Sequence, residues 1–186
     1  MVIGLVGRLV REKGYREVFE AARAVRAAHP HVRFVIAGPA DLDKADAITQ
    51  AELDQAAKAA GVDFLGMRAD VERLYPAFDV YVLASHREGF PRSAMEAAAM
   101  GLPIVATDIR GCRQVIDHDV TGLLVPVRDA AGLAHAIGAL VTDPQRSARM
   151  AAASRAKAVA EFDDRRQVAI TLDVCERLRG VSPPPR

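Results

Sequence analysis

The sequence predicts an α/β fold, a Rossmann-like parallel sheet of about six strands with helices on both faces and further helices at the C-terminal end. Three observations predict it. Short apolar runs recur along the chain. Longer amphipathic segments separate them. The runs are apolar on both faces, which suits strands covered from both sides rather than half-exposed ones.

Each element follows from local pattern. Val2 to Val6 reads as the first strand. Gly14 to His29 reads as a helix, with Val18, Phe19, Ala22 and Val25 on one face. Val32 to Ala37 is a second strand, ended by Gly38-Pro39. Asp41 to Ile48 is polar and reads as a loop. Thr49 to Ala60 is a helix stopped by Gly61, and Val62 to Leu65 a third strand. A short helix over Val71 to Tyr75 precedes a fourth strand, Val80 to Ala84. Arg92 to Met100 is a helix, with Pro91 in its first turn and Gly101 as its stop. Ile104 to Ala106, a short helix at Arg113 to Ile116, and Gly122 to Val125 follow. Helices over Ala130 to Val141, Gln145 to Glu161 and Asp164 to Arg179 complete the pattern. Residues 1–162 are expected to form one domain, 163–180 a terminal helix, and the proline-rich 181–186 a disordered tail.

Composition narrows the partners. The chain has 186 residues, 51% of them hydrophobic and 26% charged, as in ordinary soluble domains. The formal charge is +1, so bulk charge points to neither nucleic acid nor a membrane surface. Cys112 and Cys175 lie far apart and fit no metal spacing, which suits a reducing, cytoplasmic compartment. No apolar run approaches the length of a membrane span. A strand opening at residue 2 without lead-in suggests a longer parent protein.

In parallel sheets of this kind ligands bind beyond the carboxyl ends of the strands. Two clusters stand there. After the first strand come Gly7, Arg8, Leu9, Val10, Arg11, Glu12, Lys13 and Gly14. Gly7 permits a tight turn. Arg8 and Lys13 flank a short loop feeding a helix N-terminus, an arrangement that suits a diphosphate. Taken alone, the cluster fits a solvated basic loop equally well. It is not a P-loop, because Gly-x4-Gly-Lys-Ser/Thr is absent. After the fourth strand come Ser85, His86, Arg87, Glu88, Gly89, Phe90, Pro91 and Arg92, then Glu96. Gly89 leaves backbone open to a ligand, and a helix starting at Pro91 aims free N–H groups at the loop. Glu88 and Glu96 are eight residues apart, up to about 12 Å along a helix. That span matches the sugar and ribose of a nucleotide sugar. Taken alone, the pair reads better as a dipole-favoured Glu and a solvated one.

Other constellations read blandly. Asp41-Leu42-Asp43 and Asp117-His118-Asp119 have Asp-x-Asp spacing, but Asp is a common turn former. No metal or cofactor is expected. His86 is the only histidine near the clusters and reads as structural. Ser85 and His86 point to opposite sides of a strand end and form no catalytic pair. Ala97-Ala98-Ala99 reads as tight helix–sheet packing.

Taken in order, the segments Val6-Gly7-Arg8-Leu9-Val10-Arg11-Glu12-Lys13-Gly14, Val35-Ile36-Ala37-Gly38, Phe64-Leu65-Gly66, Glu88-Gly89-Phe90-Pro91 through Glu96-Ala97, Gly101 through Asp108, and Thr121 through Pro126 resemble the family 4 glycosyltransferases of GT-B architecture. The resemblance covers essentially the whole chain. It implies the C-terminal, donor-binding half of a retaining enzyme that transfers a glycosyl group from a nucleotide-diphosphate sugar, UDP-linked by first expectation, to a glycan or lipid-linked acceptor. Catalytic roles would fall to Arg8 and Lys13 on the diphosphate and Glu88 at the sugar. Gly7, Gly89, Phe90 and Pro91 would line the donor, Glu96 would bind ribose, and Met67 and Arg68 would lie near the base. The final helix would pack on an N-terminal acceptor-binding domain, through which any contact with the inner membrane face would run.

Two departures stand out. Pro91 replaces a frequent Gly. The family's Gly-Gly-x-x-Glu region reads Arg110-Gly111-Cys112-Arg113-Gln114, with Gln for the usual Glu. Nucleotide-sugar 2-epimerases share the architecture but fit the Arg8/Lys13 and Glu88/Glu96 pattern less well. A non-catalytic nucleotide-binding module is the third reading.

Overall fold

The computed structural model describes residues 1–40 and 45–179. The Asp41-Leu42-Asp43 segment and the 181–186 tail lie outside the described residues.

Six strands form one parallel sheet: β1 (Val2–Val6), β2 (Arg33–Ala37), β3 (Val62–Phe64), β4 (Val80–Leu83), β5 (Ile104–Thr107) and β6 (Gly122–Val125). The order is β3-β2-β1-β4-β5-β6. The chain winds outward one way from β1 to β3, then returns to pair β4 with β1. That reversal leaves a crevice at the carboxyl ends of β1 and β4, where open α/β sheets bind ligands.

Among the described residues six helices flank the sheet, α1 (Tyr15–Ala28), α2 (Gln50–Ala60), α3 (Arg92–Ala99), α4 (Arg110–Val115), α5 (Ala130–Thr142) and α6 (Pro144–Glu161), and a further one, α7 (Asp164–Leu178), follows them without a buried residue. Two apolar clusters fill the two faces. One joins Ile3, Leu5, Val18, Phe34, Ile36, Leu133 and Ile137. The other joins Tyr75, Tyr81, Ala94, Ala97, Ala98, Ile104 and Ile116. The small side chains of α3 let its backbone sit close to β4 and β5.

Local chemistry sets the helix ends. Thr49 and Glu52 form a reciprocal capping box on α2, and Gly61 ends it with φ 59°. Asp129, Asp143 and Asp163 cap α5, α6 and α7 through their side chains. Asp117 accepts hydrogen bonds within its own turn, and Asp119 stands at φ 64°, so both serve turn geometry.

Two sequence expectations are corrected. The segment near Val71–Tyr75 is two successive 3₁₀ turns, Val71–Arg73 and Tyr75–Ala77, because Pro76 has no N–H with which to continue an α-helical ladder. Helix α4 starts at Arg110, three residues before the expected Arg113. Helix α3 starts at Arg92, as expected, with Pro91 as its N-cap. The chain bends at Gly7, directly after β1, and an unexpected 3₁₀ turn over Arg11–Lys13 then ends at Gly14, with φ 70°.

Helix α7 carries no buried residue, and Val168, Ile170, Leu172, Val174 and Leu178 are exposed on it. No described helix is long and apolar enough to cross a membrane.

A Cβ at Gly14 would overlap the Ala84 carbonyl oxygen, on a backbone that already disfavours L side chains. Gly14→Ala should therefore lower unfolding free energy by about 2 kcal/mol or more in urea titrations. Gly138, inside α5 with open space at its Cβ position, is the control: Gly138→Ala should raise stability by roughly 0.5–1 kcal/mol.

Candidate functional site

The two loops at the crevice are fastened from below before any side chain reaches a ligand. Tyr15 on α1 donates its hydroxyl to the Gly7 carbonyl at 2.9 Å. Tyr81 on β4 donates to the Val6 carbonyl at 3.2 Å. Burial raises the pKa of both phenols, so they stay protonated as donors. The end of β1 is thus held at two consecutive carbonyls.

The loops are also fastened to each other. The His86 N–H donates to the Glu12 carbonyl at 2.8 Å. Arg87 Nε meets the Glu12 carboxylate at 2.8 Å. His86 Nε2 pairs with Glu17, in the first turn of α1, at 2.8 Å. Lys13 Nζ meets Glu88 Oε1 at 2.5 Å, and Ser85 Oγ donates to the same oxygen at 2.7 Å. Lys13 and Glu88 side chains are only 25% and 14% exposed, so this pair is screened less than a surface one. His86 thereby has a structural partner, as its position suggested, and Ser85 turns to Glu88 instead of to its neighbour.

Behind these loops, α4 closes the floor. A Cβ at Gly111 would run into the Glu88 and Gly89 carbonyl oxygens, so only glycine lets α4 approach the loop this closely. Cys112 is buried there, and desolvation pushes its thiol up to about 12, which leaves it an unreactive core thiol.

Two cavities open on either side of the Lys13–Glu88 pair. One, of about 480 Å³, is lined by Gly7, Arg8, Lys13, Glu88, Phe90, Pro91, Arg92, Ser93 and Glu96. The first turn of α3 faces it with no side chain capping its N–H groups. The other, of about 540 Å³, is lined by Arg8, Glu12, Lys13, Arg87, Glu88, Gly89, Arg110 and Gln114. Glu96 is held by the Tyr75 hydroxyl at 2.7 Å, which leaves one carboxylate oxygen without a side-chain partner among the described residues.

The structure thus brings together eight of the ten residues singled out from sequence: Gly7, Arg8, Lys13, Glu88, Gly89, Phe90, Pro91 and Glu96. It does not bring in Met67 and Arg68. Met67 is 79% exposed, and Arg68 pairs with Asp70 at 2.8 Å on the turn after β3. The helical spacing of Glu88 and Glu96 also needs correcting. Glu88 lies in the loop before α3, so helical rise does not set their separation. Glu12, Tyr75, Arg87, Ser93 and Arg110 line or brace the cavities and were not singled out. Their partners are far off in sequence, and only the position of Arg87 beside Glu88 signalled one of them. Among the described residues no group of three or more His, Cys, Asp or Glu side chains is placed to hold a metal ion.

A doubly wound parallel sheet with cations and an open helix start at its reversal point defines a Rossmann-like domain whose crevice suits an anionic ligand. Comparison with known proteins places it further. Residues 1–143 match the family model described as glycosyl transferases group 1, and the chain belongs to that family. It is 35% identical over 165 residues to a Mycobacterium tuberculosis glycogen synthase, covering 85% of this chain and 38% of that protein. It is 30% identical over 142 residues to a Campylobacter jejuni N,N'-diacetylbacillosaminyl-diphospho-undecaprenol alpha-1,3-N-acetylgalactosaminyltransferase, covering 76% of this chain and 36% of that one. Among solved structures, Anabaena HepE in complex with UDP-glucose matches with TM-score 0.83 and 30% identity, over 97% of this chain and 49% of that chain. The C-terminal domain of a Francisella tularensis glycosyl transferase group 1 family protein matches with TM-score 0.77 and 29% identity, over 88% and 86%. The chain therefore spans 36–38% of the length of these two curated relatives.

The part-buried Lys13–Glu88 pair should show in stability. In urea titrations of Lys13→Met, Glu88→Gln and the double variant, the cycle should give a coupling of roughly 1–2 kcal/mol. A coupling near zero would mean that the two side chains do not meet in solution.

Proposed function

We propose that this chain is the donor-binding half of a retaining, family 4 glycosyltransferase that uses a UDP-linked sugar. The observation that carries the proposal is the single cavity in which Arg8, Lys13, Glu88, the start of α3 and Glu96 converge. Arg8 and Lys13 grip the diphosphate, together with the uncapped N–H groups of α3. Glu96 accepts from ribose hydroxyls through its remaining oxygen, while Tyr75 steadies the other. Glu88 accepts from hydroxyls of the sugar. UDP is favoured by the HepE complexes, whose ligands are UDP and UDP-glucose. Met67 and Arg68 remain the proposed neighbours of the base.

In transfer, the bond between the anomeric carbon and the diphosphate oxygen breaks as a bond to the acceptor hydroxyl oxygen forms. Negative charge grows on the departing diphosphate, and the acceptor proton leaves with it. Arg8, Lys13 and the α3 dipole already face that charge, so little reorganisation is needed. These cations do the work of charge neutralisation without a metal. The acceptor must be brought in by a second domain, which we propose packs on α7, the helix with exposed Val168, Ile170, Leu172 and Val174. Residues 1–162 then form the donor domain, in a cytoplasmic protein that touches the membrane only through the other half. The acceptor is a glycan or a lipid-linked glycan.

Calorimetry with UDP tests the grip. Arg8→Ala and Lys13→Ala should each weaken binding about tenfold or more, the scale of a lost charge-assisted hydrogen bond. Arg11→Ala, whose guanidinium faces Glu52, should leave it unchanged. Equal effects at all three would remove the diphosphate assignment.

Glu88→Gln separates the roles of the pair. Freed from Glu88, Lys13 should bind UDP as tightly as in the wild type or more so, while any advantage of UDP-glucose over UDP should vanish. Loss of UDP affinity in this variant would place Glu88 on the nucleotide instead.

A further inference from the structure

The second cavity holds more positive charge than its own acids can match. Four cations line it, Arg8, Lys13, Arg87 and Arg110, against two carboxylates, Glu12 and Glu88. Both carboxylates are taken: Glu12 by Arg87 and Glu88 by Lys13. Among the described residues, Arg8 and Arg110 have no carboxylate partner. Arg8 is shared with the neighbouring cavity and with the diphosphate proposed there. Arg110 is not. It lines only the side reached past Glu88, next to Gln114, and stands clear of Pro91, Ser93 and Glu96.

Placement gives that charge a purpose. If the nucleotide end of a donor occupies the cavity at α3, whatever lies beyond the diphosphate must pass Glu88 toward Arg110. A neutral sugar would leave the exposed Arg110 guanidinium to water alone. A carboxylate or phosphate there would gain a charge-assisted, potentially bidentate contact, with the Gln114 amide as a further donor.

We propose that Arg110, assisted by Gln114, forms a subsite for an anionic group on the sugar side of Glu88. The group is the carboxylate of a uronic acid donor or the phosphate of an acceptor. The proposal rests on the donor-binding reading for its orientation. The charge imbalance itself does not depend on that reading.

Calorimetry on the full chain distinguishes the sources. With UDP-glucuronate and UDP-glucose as probes, a donor carboxylate predicts about tenfold tighter binding of the former, abolished in Arg110→Ala with UDP binding unchanged. With the chain saturated by UDP, inorganic pyrophosphate probes the acceptor source. Binding of pyrophosphate that Arg110→Ala weakens about tenfold would assign the subsite to an acceptor phosphate. If Arg110→Ala alters neither probe, the subsite is overturned. If UDP fails to bind but pyrophosphate binding still depends on Arg110, the donor reading falls and the subsite stands.

Discussion

The ion pair between Lys13 and Glu88 is the constraint on which the site depends. It joins two loops that are 75 residues apart in sequence and meet only because β4 pairs with β1. Remove that pairing and neither loop has a reason to face the other. With it, one cation and one carboxylate are held, partly buried, at the mouth of two cavities. The pair keeps both charges satisfied while no ligand is bound, which avoids the penalty of an uncompensated charge in a desolvated place. A ligand carrying phosphate and hydroxyls can replace each partner with a better-matched one.

The surrounding structure exists to hold that arrangement still. Tyr15 and Tyr81 anchor the end of β1 from beneath. Glu12 receives the backbone of His86 and the side chain of Arg87, and Glu17 receives the His86 ring. Gly111 admits α4 against the Glu88 loop. Such preorganisation lets a site act without moving at the moment of reaction. The exposed apolar residues of α7 line neither cavity and take no part in the site.

Much of this was legible in the sequence, for identifiable reasons. Strand and helix positions followed from apolar runs and from stops such as Gly61 and Gly101, where local chemistry decides the outcome. The 3₁₀ turns at Arg11–Lys13 and Val71–Ala77 did not, because they obey turn sterics and Pro76 rather than periodicity. Eight of ten candidate residues converged because both clusters follow strands that lie side by side in the sheet. Met67 and Arg68 follow β3, the edge strand two places from β1, and line neither of the two cavities. The contacts among Lys13 and Glu88, Tyr75 and Glu96, and Glu12 and Arg87 were invisible. Nothing in a single sequence records which distant charges will meet. Arg110 gave no signal of its own, because its meaning depends on the cavity it lines.

The most direct test of the account is a nitrogen-15 NMR titration of the chain with UDP-glucose. The largest amide shifts should fall on Gly7 to Gly14 and Ser85 to Gly89 together, with the first turn of α3 following. Shifts confined to one of the two loops, or centred on the α1–α2 surface or α7, would contradict the claim that the joined ends of β1 and β4 receive the ligand.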